Sequence, residues 1–383
     1  METLLAYKTK LRTNKEQAKF FSGCSGYSRF VFNWALNDRI DRRKQELKTS
    51  YYEQRKRFNA IKYDEFEWCA EYPQVIMDYA FQDLDTAYKN FFRRVKKGEA
   101  PGFPKFKNRY GKSSFRLKGS IKVESNRIKL PKIGWVILAE RGYFPTDTRV
   151  RQATISRDVD NWYVSILVEE DKQPIEDKEG VIGVDMGVKH LAVLSNGDVI
   201  DSPDVKALNE KVAKLQKKLA RQTKGSSNRE KTKVKIAKVH RKIRNIRNNT
   251  LHNASAHIVR NCKPERIVIE DLNVSGMTRR AKPKQDEDGN YLRNNAAAKS
   301  GLNKAILNSG LGEFRRQIEY KAKWAGSEIT IADRFYPSSK TCSNCGEIDS
   351  NLKLSDRTYN CKSCGFQIDR DLNAAINLEN YND

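Results

Sequence analysis

The sequence predicts a multidomain α/β protein, because three kinds of pattern follow one another along its 383 residues. Short alternating β runs at the start and between residues 114 and 170 enclose a long segment with helical periodicity. From residue 181 onward, short apolar strands carry carboxylates and alternate with helical segments. Near the C-terminus, four cysteines form two closely spaced pairs. These patterns predict an antiparallel β domain with a helical insertion, followed by a mixed sheet and a small metal-binding element.

The charge of the chain predicts a polyanionic partner. Its 73 Lys and Arg against 48 Asp and Glu give a net charge of +25, and the excess is clustered. A basic surface that serves only solubility is the alternative. No apolar run approaches the length of a membrane span, and the first residues lack the basic start and apolar core of a signal peptide. We therefore expect a cytoplasmic prokaryotic protein with no membrane partner.

A strand followed by a helical unit is predicted for the first hundred residues. Residues 4 to 11 alternate in polarity as a strand does, and Thr13–Glu16 has the residue types of a capping box. A helix should therefore begin at about residue 14. A second helical stripe is expected from Pro73, a favourable first residue of a helix.

Residues 96 to 112 form a loop broken by glycine and proline, in which Phe103, Phe106 and Tyr110 alternate with cations. Such interleaving is typical of base stacking combined with phosphate contact. A linker whose aromatic side chains pack under a neighbouring domain is the alternative. The sequence does not decide between the two.

An apolar strand from Val181 to Val184 leads directly into Asp185. Gly183 and Gly187 flank this carboxylate with side chains too small to block a ligand from the backbone. A carboxylate among β-branched residues is costly unless a cation meets it. Asp185 is therefore a candidate metal ligand, and a turn or capping role is the alternative.

Residues 204 to 250 predict a helical hairpin, with a break at Gly225–Asn228 between two apolar stripes. The segment holds 16 Lys and Arg against 3 Asp and Glu, including Lys217, Lys218 and Arg221. This excess favours a face that follows nucleic-acid phosphates over a merely solvated surface.

A second acid ends the short apolar strand that begins at Arg266. By strand alternation, Glu270 shares a face with Val268, opposite Ile267 and Ile269. The following residues, 275 to 299, are rich in Gly, Asn, Lys and Arg, so we expect a mobile segment that could act as a lid.

The paired cysteines predict a structural zinc site. The two pairs are separated by 15 residues, a spacing that suits tetrahedral coordination by four thiolates with no open position. Free or oxidised cysteines are the alternative. The four candidate ligands are Cys342, Cys345, Cys361 and Cys364. The remaining cysteines lie in apolar contexts and are interpreted as core residues: Cys24, Cys69 and Cys262.

Further acids precede the last helical pattern, at Asp369 and Asp371, one of which could be the helix N-cap. Together with Asp185 and Glu270, an Asp at this position can converge at one end of a mixed sheet. Such a trio suits two-metal phosphodiester cleavage, in which carboxylates hold two Mg²⁺ ions that activate water and stabilise the leaving oxygen.

In combination, four motifs resemble the signatures of TnpB, a family of transposon-encoded RNA-guided endonucleases related to type V CRISPR effectors. The resemblance covers essentially the whole chain. The motifs are Gly183-Val-Asp185-Met-Gly187, Ile267-Val-Ile-Glu270-Asp-Leu272, Ser338-Ser-Lys-Thr-Cys342-Ser-Asn-Cys345-Gly346 and Asp369-Arg-Asp371-Leu-Asn-Ala-Ala375.

The resemblance implies an RNase H-like (RuvC) nuclease domain with an inserted zinc ribbon, and a wedge β domain that receives a helical recognition insertion. It further implies that Asp185, Glu270 and Asp371 are the catalytic Mg²⁺ ligands, with Asp369 as the competing choice for the third. The expected boundaries are 1–13 and 113–178 for the wedge domain, 14–112 for the recognition domain, 179–336 and 366–383 for the nuclease domain, and 337–365 for the zinc ribbon.

The implied partners are a guide RNA derived from the transposon end and a target DNA, which a monomeric ribonucleoprotein would cut beside a short flanking motif. Candidate contacts to that motif are Asp78, Tyr79, Ser113, Ser114 and Phe115. Because the sequence contains no recognisable helix-turn-helix, we expect base pairing with the guide to supply specificity. A guide-directed repressor that does not cut and an actin-like ATPase are the alternatives.

Overall fold

The structure, a computed structural model, describes residues 2 to 353 and 355 to 382. The chain divides into two compact units, Glu2–Asp171 and Lys172–Asp383. Among the helices in the described ranges, none combines the length and the apolar character that a membrane span requires.

The first unit contains one seven-stranded antiparallel sheet in the order β2-β6-β7-β1-β5-β4-β3. Its elements are β1 (Glu2–Arg12), α1 (Lys15–Lys44), α2 (Tyr51–Ile61), a 3₁₀ turn (Glu67–Glu71), α3 (Val75–Lys96), β2 (Ser114–Leu117), β3 (Lys122–Glu124), β4 (Arg127–Leu130), β5 (Gly134–Leu138), β6 (Val150–Asp158) and β7 (Asn161–Asp171).

The first strand lies in the middle of this sheet, between β7 and β5, so the helices that follow it are an insertion in a β domain, as predicted. Helix α1 packs on the sheet through Phe21, whose ring contacts the rings of Phe115 and Trp162. The predicted capping box is displaced by one residue. Asn14 is the N-cap and pairs with Gln17, because the side chains of these two residues bond each other's backbone N–H.

The second unit is built around a five-stranded mixed sheet in the order β10-β9-β8-β11-β14. Its elements are β8 (Val181–Asp185), β9 (His190–Leu194), β10 (Val199–Asp201), α4 (Lys206–Ala220), α5 (Ser227–Ala256), a π-helical turn (His257–Asn261), β11 (Arg266–Glu270), α6 (Val274–Met277), β12 (Lys284–Gln285), β13 (Tyr291–Leu292), α7 (Ala296–Ser309), α8 (Leu311–Ala325), β14 (Glu328–Ala332), β15 (Thr358–Asn360), β16 (Gln367–Asp369) and α9 (Arg370–Glu379).

The two faces of this sheet pack on different helices. Ile267 and Ile269 face a core shared with α5 and α8, as the alternation along β11 predicts. Val268 faces the other way and packs with Leu378 of α9. Strands β8, β11 and β14 run parallel, so their C-terminal ends lie at one edge of the sheet.

Gly183 is required by packing against a helix. A Cβ at this position would overlap the backbone of α9 at Ala375 and Glu379. The space beside the strand is therefore filled by a helix, and the prediction that Gly183 admits a ligand to the backbone is wrong. The side chain is absent because α9 lies directly on β8.

The predicted helical hairpin is confirmed. Helices α4 and α5 pack through a small apolar core that includes Val212, Val239 and Ile243. In the segment predicted to be a lid, the structure places the short β12–β13 hairpin and the start of α7.

Candidate metal centres

Strand pairing brings Asp185 and Glu270 to the same edge of the sheet. Val184 on β8 lies opposite Ile269 on the parallel strand β11, so each acid occupies the next position, at the end of its strand. Because side chains alternate along a strand, both acids share the face on which Val268 contacts α9. The carboxyl ends of two neighbouring strands thus carry two acids on one side.

Helix α9 adds the third acid. Asp369 is its N-cap, and the Oδ1 atom accepts hydrogen bonds from the backbone N–H groups of Asp371 (2.9 Å) and Leu372 (3.1 Å). Asp369 is exposed, whereas Asp371 is half-buried in the first turn of the helix. The structure thus gives Asp369 the capping role that the sequence left open between the two residues.

Burial and neighbouring acids raise the pKa of Asp185. Burial, followed by the negative charges of Glu270 and Asp371, raises the pKa of Asp185 from 3.8 to about 8. Arg370 opposes this shift and Asp369 adds to it more weakly. A carboxyl group held among other acids in this way is neutral at pH 7 unless a cation compensates the charge.

Glu270 and its neighbour Asp271 have different partners. The Ser338 hydroxyl donates a hydrogen bond of 2.6 Å to Glu270. Asp271 pairs with Arg315 (2.9 Å) and Arg334, and these hydrogen bonds lower the pKa of Asp271. Asp271 is therefore neutralised by protein cations, whereas Glu270 faces the acidic cluster. The role of Ser338 was missed because it depends on a fold contact across 68 residues.

The three acids have oxygen donors but are not drawn tightly around one point. Among the described residues, Asp185, Glu270 and Asp371 do not form a group whose ligand oxygens all lie within 4.8 Å of one another. Two metal ions in phosphoryl-transfer sites lie about 3.5–4 Å apart and need carboxylates spread around both. Carboxylate oxygens are also the donors that Mg²⁺ and Mn²⁺ prefer. The donor set therefore fits hard divalent cations.

The four paired cysteines form a second centre. Their Sγ atoms all lie within 4.8 Å of one another, with 3.8 Å between Cys342 and Cys364 and 3.6 Å between Cys345 and Cys361. A tetrahedral ion with metal–sulfur bonds of 2.3 Å requires a sulfur–sulfur distance of about 3.8 Å. The cluster can therefore hold one metal ion with little movement.

The backbone forms the same kind of turn at both cysteine pairs. Each pair begins a tight turn in which a glycine with positive φ, Gly346 or Gly365, donates its N–H to the carbonyl of the first cysteine. Tyr359 is buried between the two halves.

Buried amides connect the cysteine cluster to the acidic one. Asn373 and Asn377 of α9 each donate a hydrogen bond to the carbonyl oxygen of Thr341, beside the first cysteine. Asn377 also bonds the carbonyl of Ser338, the residue whose hydroxyl holds Glu270. The same helix therefore carries Asp371 and fixes the turn that leads into the cysteines.

The aromatic loop candidates differ in their environment. Phe103 contacts the rings of Tyr88 and Phe91 on α3 and is 45% exposed, so its ring is only partly covered. Phe106 and Tyr110 are 54% and 86% exposed, so their rings are accessible for stacking. The loop backbone is held to α1 at Lys107, which exchanges two hydrogen bonds with Asn33.

The candidates for reading a flanking motif also differ. Phe115 is buried and packs on Phe21, so the structure contradicts its prediction as a nucleic-acid contact. Asp78 forms an ion pair with Arg55. Tyr79 is half-buried under the guanidinium of Arg116, 4.2 Å from its ring centre. Two further candidates are half-buried: Ser113 and Ser114.

The basic candidates of the helical hairpin are all accessible. Lys217 and Lys218 lie in the last turn of α4, and Arg221 follows as its C-cap. All three are exposed. Cations at a helix C-terminus interact favourably with the helix dipole, so these three residues should also stabilise α4.

Comparison of the whole chain with known proteins identifies its family. The chain is 34% identical over 99% of its length, and over 92% of the relative, to the "Putative RNA-guided DNA endonuclease InsQ" of Escherichia coli K12. It is 31% identical to the "Putative RNA-guided DNA endonuclease" of Streptomyces pristinaespiralis, over 97% of this chain and 88% of the relative. The chain belongs to the TnpB family. This confirms the resemblance seen in its motifs.

Family profiles match three segments of this TnpB chain. "Probable transposase" covers residues 164–281, "Cas12f1-like, TNB domain" covers residues 312–378, and "Helix-turn-helix domain" covers residues 1–48. In the described part of that last segment, residues 2 to 48, the structure contains one strand and one long helix. The description of this profile differs from the prediction that the sequence contains no recognisable helix-turn-helix.

A solved structure shares the fold of this TnpB chain. A Cas12f1 chain, in a structure described as a complex with sgRNA and target DNA, matches with a TM-score of 0.58 and 15% identity. The match covers 96% of this chain and 83% of the other. It supports the predicted multidomain α/β architecture.

Proposed function

We propose that this protein is an RNA-guided DNA endonuclease of an insertion-sequence transposon, and that Asp185, Glu270 and Asp371 are its Mg²⁺ ligands. The convergence of these acids at one edge of the mixed sheet is the observation that supports the proposal most strongly. Relatives that match nearly the full chain carry the name of RNA-guided DNA endonucleases. The names of those relatives support a DNA nuclease that acts with nucleic-acid partners.

The order of the five strands supports an RNase H-like nuclease domain within the second unit. An antiparallel meander of β8, β9 and β10 is joined through β8 to the parallel strands β11 and β14. We assign residues 179–336 and 366–383 to this domain, residues 337–365 to a zinc ribbon, residues 1–13 and 113–178 to a wedge domain, and residues 14–112 to a recognition domain.

In this assignment the acids act by holding cations. Two Mg²⁺ ions, when bound, would activate water and stabilise the leaving oxygen of a DNA phosphodiester. Asp185 would release the proton that its burial, together with the neighbouring acids Glu270 and Asp371, retains on it. Ser338 fixes the orientation of Glu270, and the α9 backbone fixes Asp371 relative to β8.

The cysteine cluster would hold one structural Zn²⁺. Four sulfur ligands leave no open position for a substrate, so this ion would stabilise the local fold without taking part in cleavage. The hydrogen bonds that the side-chain amides of Asn373 and Asn377 donate to Thr341 would extend this stabilisation to α9.

Two surfaces would contact nucleic acid. The α4–α5 hairpin presents a run of exposed cations, including Lys217, Lys218 and Arg221, that suits a phosphate backbone. In the first unit, exposed Phe106 and Tyr110 suit stacking on unpaired bases. We propose a guide RNA from the transposon end and a target DNA as partners, bound by a monomeric protein.

Reprogramming the guide tests this function. The protein is purified with its RNA, only the guide segment is changed, and Mg²⁺ is supplied with DNA carrying the old or the new target beside the same flanking sequence. Cleavage should move to the new target and should disappear when the RNA is removed. Cutting that ignores the guide would identify a conventional nuclease, and guide-directed binding without cutting would identify a repressor.

A further inference from the structure

A third group of metal-ligating side chains lies away from both centres. Asp198, His257 and Cys262 place one ligand atom each within 4.8 Å of one another. The Nε2 atom of His257 lies 2.9 Å from Oδ2 of Asp198 and 3.9 Å from Sγ of Cys262. Cys262 was interpreted as a core residue from its sequence context. In the structure Cys262 is half-buried and packs against the hydrophobic core of the second unit, and its thiol lies beside the His257 imidazole.

Irregular backbone brings the three residues together. His257 begins a π-helical turn after α5, and the N–H of Cys262 donates to the His257 carbonyl at 3.2 Å, across five residues. Such turns are rare and often occur at functional sites. Asp198 lies at the hairpin turn between β9 and β10, where its N–H bonds the side chain of Asn196. The β9–β10 hairpin thus supplies Asp198, and the segment after α5 supplies His257 and Cys262.

The distances match tetrahedral coordination after small shifts. With typical bond lengths to zinc, a bound imidazole nitrogen lies about 3.6 Å from a bound sulfur and about 3.4 Å from a bound carboxylate oxygen. The observed distances of 3.9 Å and 2.9 Å differ from these by a few tenths of an ångström. An ion pair between Asp198 and His257 alone would not require a thiol beside the same nitrogen.

We propose that Asp198, His257 and Cys262 bind one divalent transition-metal ion of the Zn²⁺ class. Binding replaces the Asp198–His257 hydrogen bond with two metal–ligand bonds. The ring proton of His257 moves from Nε2 to Nδ1 through solvent, which frees the Nε2 lone pair for the ion, and the Cys262 thiol releases its proton to solvent as the metal–sulfur bond forms. No electron is transferred. The fourth position opens into a cavity of about 410 Å³ whose lining includes Asp198, His257, Asp201 and Asn253.

The bound ion would stabilise the β10 edge of the five-stranded sheet. It would join the β9–β10 hairpin to the end of α5, and β9 pairs directly with β8, where Val193 lies opposite Asp185. Three protein ligands and one open position give weaker binding than four thiolates do, so this site should exchange its metal while the cysteine cluster retains its own. The site could therefore respond to free metal.

Protection of the thiol tests the site without any cleavage assay. Folded full-length protein is treated with iodoacetamide, with and without added Zn²⁺, and alkylation of Cys262 is followed by mass spectrometry. Added Zn²⁺ should slow alkylation of Cys262 by at least about tenfold, because a metal-bound thiolate is blocked. Elemental analysis at saturating Zn²⁺ should give one more ion per chain for the wild type than for Cys262→Ser, while Cys69→Ser serves as a matched control at another lone cysteine.

Two ligand variants keep the proposal open to refutation. Asp198→Asn and His257→Ala should both abolish the protection of Cys262, and far-ultraviolet circular dichroism establishes whether each variant is folded. Unchanged alkylation of Cys262 on adding Zn²⁺, or protection that persists in both variants, would overturn the site. Because neither readout requires guide RNA or cleavage, failure here leaves the proposed nuclease function untouched.

Discussion

Gly183 and Ala375 bring a strand and a helix into direct backbone contact: a Cβ on Gly183 would overlap the carbonyl group of Ala375. Gly183 lies two residues before Asp185, and Ala375 lies four residues after Asp371. This one contact therefore sets the distance between the strand that carries the first acid and the helix that carries the third. The close approach is possible only where the strand has no side chain.

Gly183→Ala should displace α9 and so increase the distance between Asp185 and Asp371. The overlap is with backbone atoms, which cannot rotate away, so the destabilisation should reach or exceed the usual 1–3 kcal/mol of overpacking, by order of magnitude. Target cleavage should fall more than guide-dependent DNA binding, because the proposed metal ligands move apart. Urea unfolding and cleavage assays measure the two effects.

Gly301→Ala is the matched control. Gly301 lies inside helix α7, and a Cβ there would meet nothing within 4 Å. Alanine in a helix interior is more favourable than glycine by roughly 0.5–1 kcal/mol, so this variant should be slightly more stable and fully active. If Gly183→Ala behaved in the same way, α9 would not depend on this contact.

Asp371 and Asp369 should respond differently to the same substitution. Asp371→Asn removes a proposed metal ligand, so cleavage should fall by at least about 100-fold while guide-directed binding remains. Asp369→Asn keeps a good N-cap residue and should retain both stability and cleavage. Asp185→Asn and Glu270→Gln should resemble Asp371→Asn. Full activity of Asp371→Asn, measured on purified protein, would remove it from the metal site.

Local rules predicted the positions of Asp185 and Glu270 at the ends of two strands. Strand alternation places the Glu270 side chain on the same face of β11 as Val268 and on the opposite face from Ile267. The cysteine cluster could also be predicted from the sequence, because the spacing within each pair forms a turn that brings both sulfur atoms together.

Contacts between distant segments could not be predicted in this way. Ser338 bonds Glu270 across 68 residues, and Gly183 is explained only by a helix almost two hundred positions later in the chain. Phe115 was misjudged for the same reason, because only the packing of α1 on the sheet shows that its ring is covered. Such features follow from the arrangement of elements rather than from the residue types around them.

Mg²⁺ binding should release a proton near neutral pH. Because the pKa of Asp185 is raised to about 8, this carboxyl is mostly protonated at pH 7 and must ionise to bind metal. At pH 7 about 0.9 proton should leave Asp185 for each occupied site, and the apparent affinity should rise up to about tenfold per pH unit below pH 8.

Calorimetric titration with Mg²⁺ in two buffers of different ionisation enthalpy measures this proton release. At pH 9 the release from Asp185 should nearly vanish, since the group is already ionised there. Equal binding heats in both buffers at pH 7 would show that Asp185 is charged before the metal arrives.

Removal of zinc from the cysteine cluster should weaken the acidic centre through α9. Chelation or Cys342→Ser should release one tightly held Zn²⁺ per chain and loosen the turn that Asn373 and Asn377 bond at Thr341. Asn377→Leu should mimic part of this effect, at about 1–3 kcal/mol, because it leaves the buried Ser338 carbonyl without its donor. Elemental analysis, thermal unfolding and cleavage follow the three consequences. Active protein with no tightly held metal would contradict the zinc assignment.

The α4–α5 hairpin should contribute salt-dependent affinity for nucleic acid. Lys217, Lys218 and Arg221 are exposed at the end of α4, where each phosphate contact would release counterions. Binding of guide RNA, or of the guide–target hybrid, should weaken linearly on a plot of log affinity against log salt.

Replacing all three by glutamine separates phosphate contact from helix stability. Glutamine is a good helix former, so the hairpin should remain folded while the charges are lost. Each lost contact should reduce the magnitude of the log–log slope by roughly 0.7 to 0.9, so the triple variant should show a slope smaller by about two. Triple replacement by glutamate would add repulsion, and it would also disturb the helix end, where cations interact favourably with the dipole. The glutamine variant is therefore the decisive one: if its affinity and slope equal those of the wild type, these cations only solvate the surface, and the phosphate-binding face must lie elsewhere on the chain.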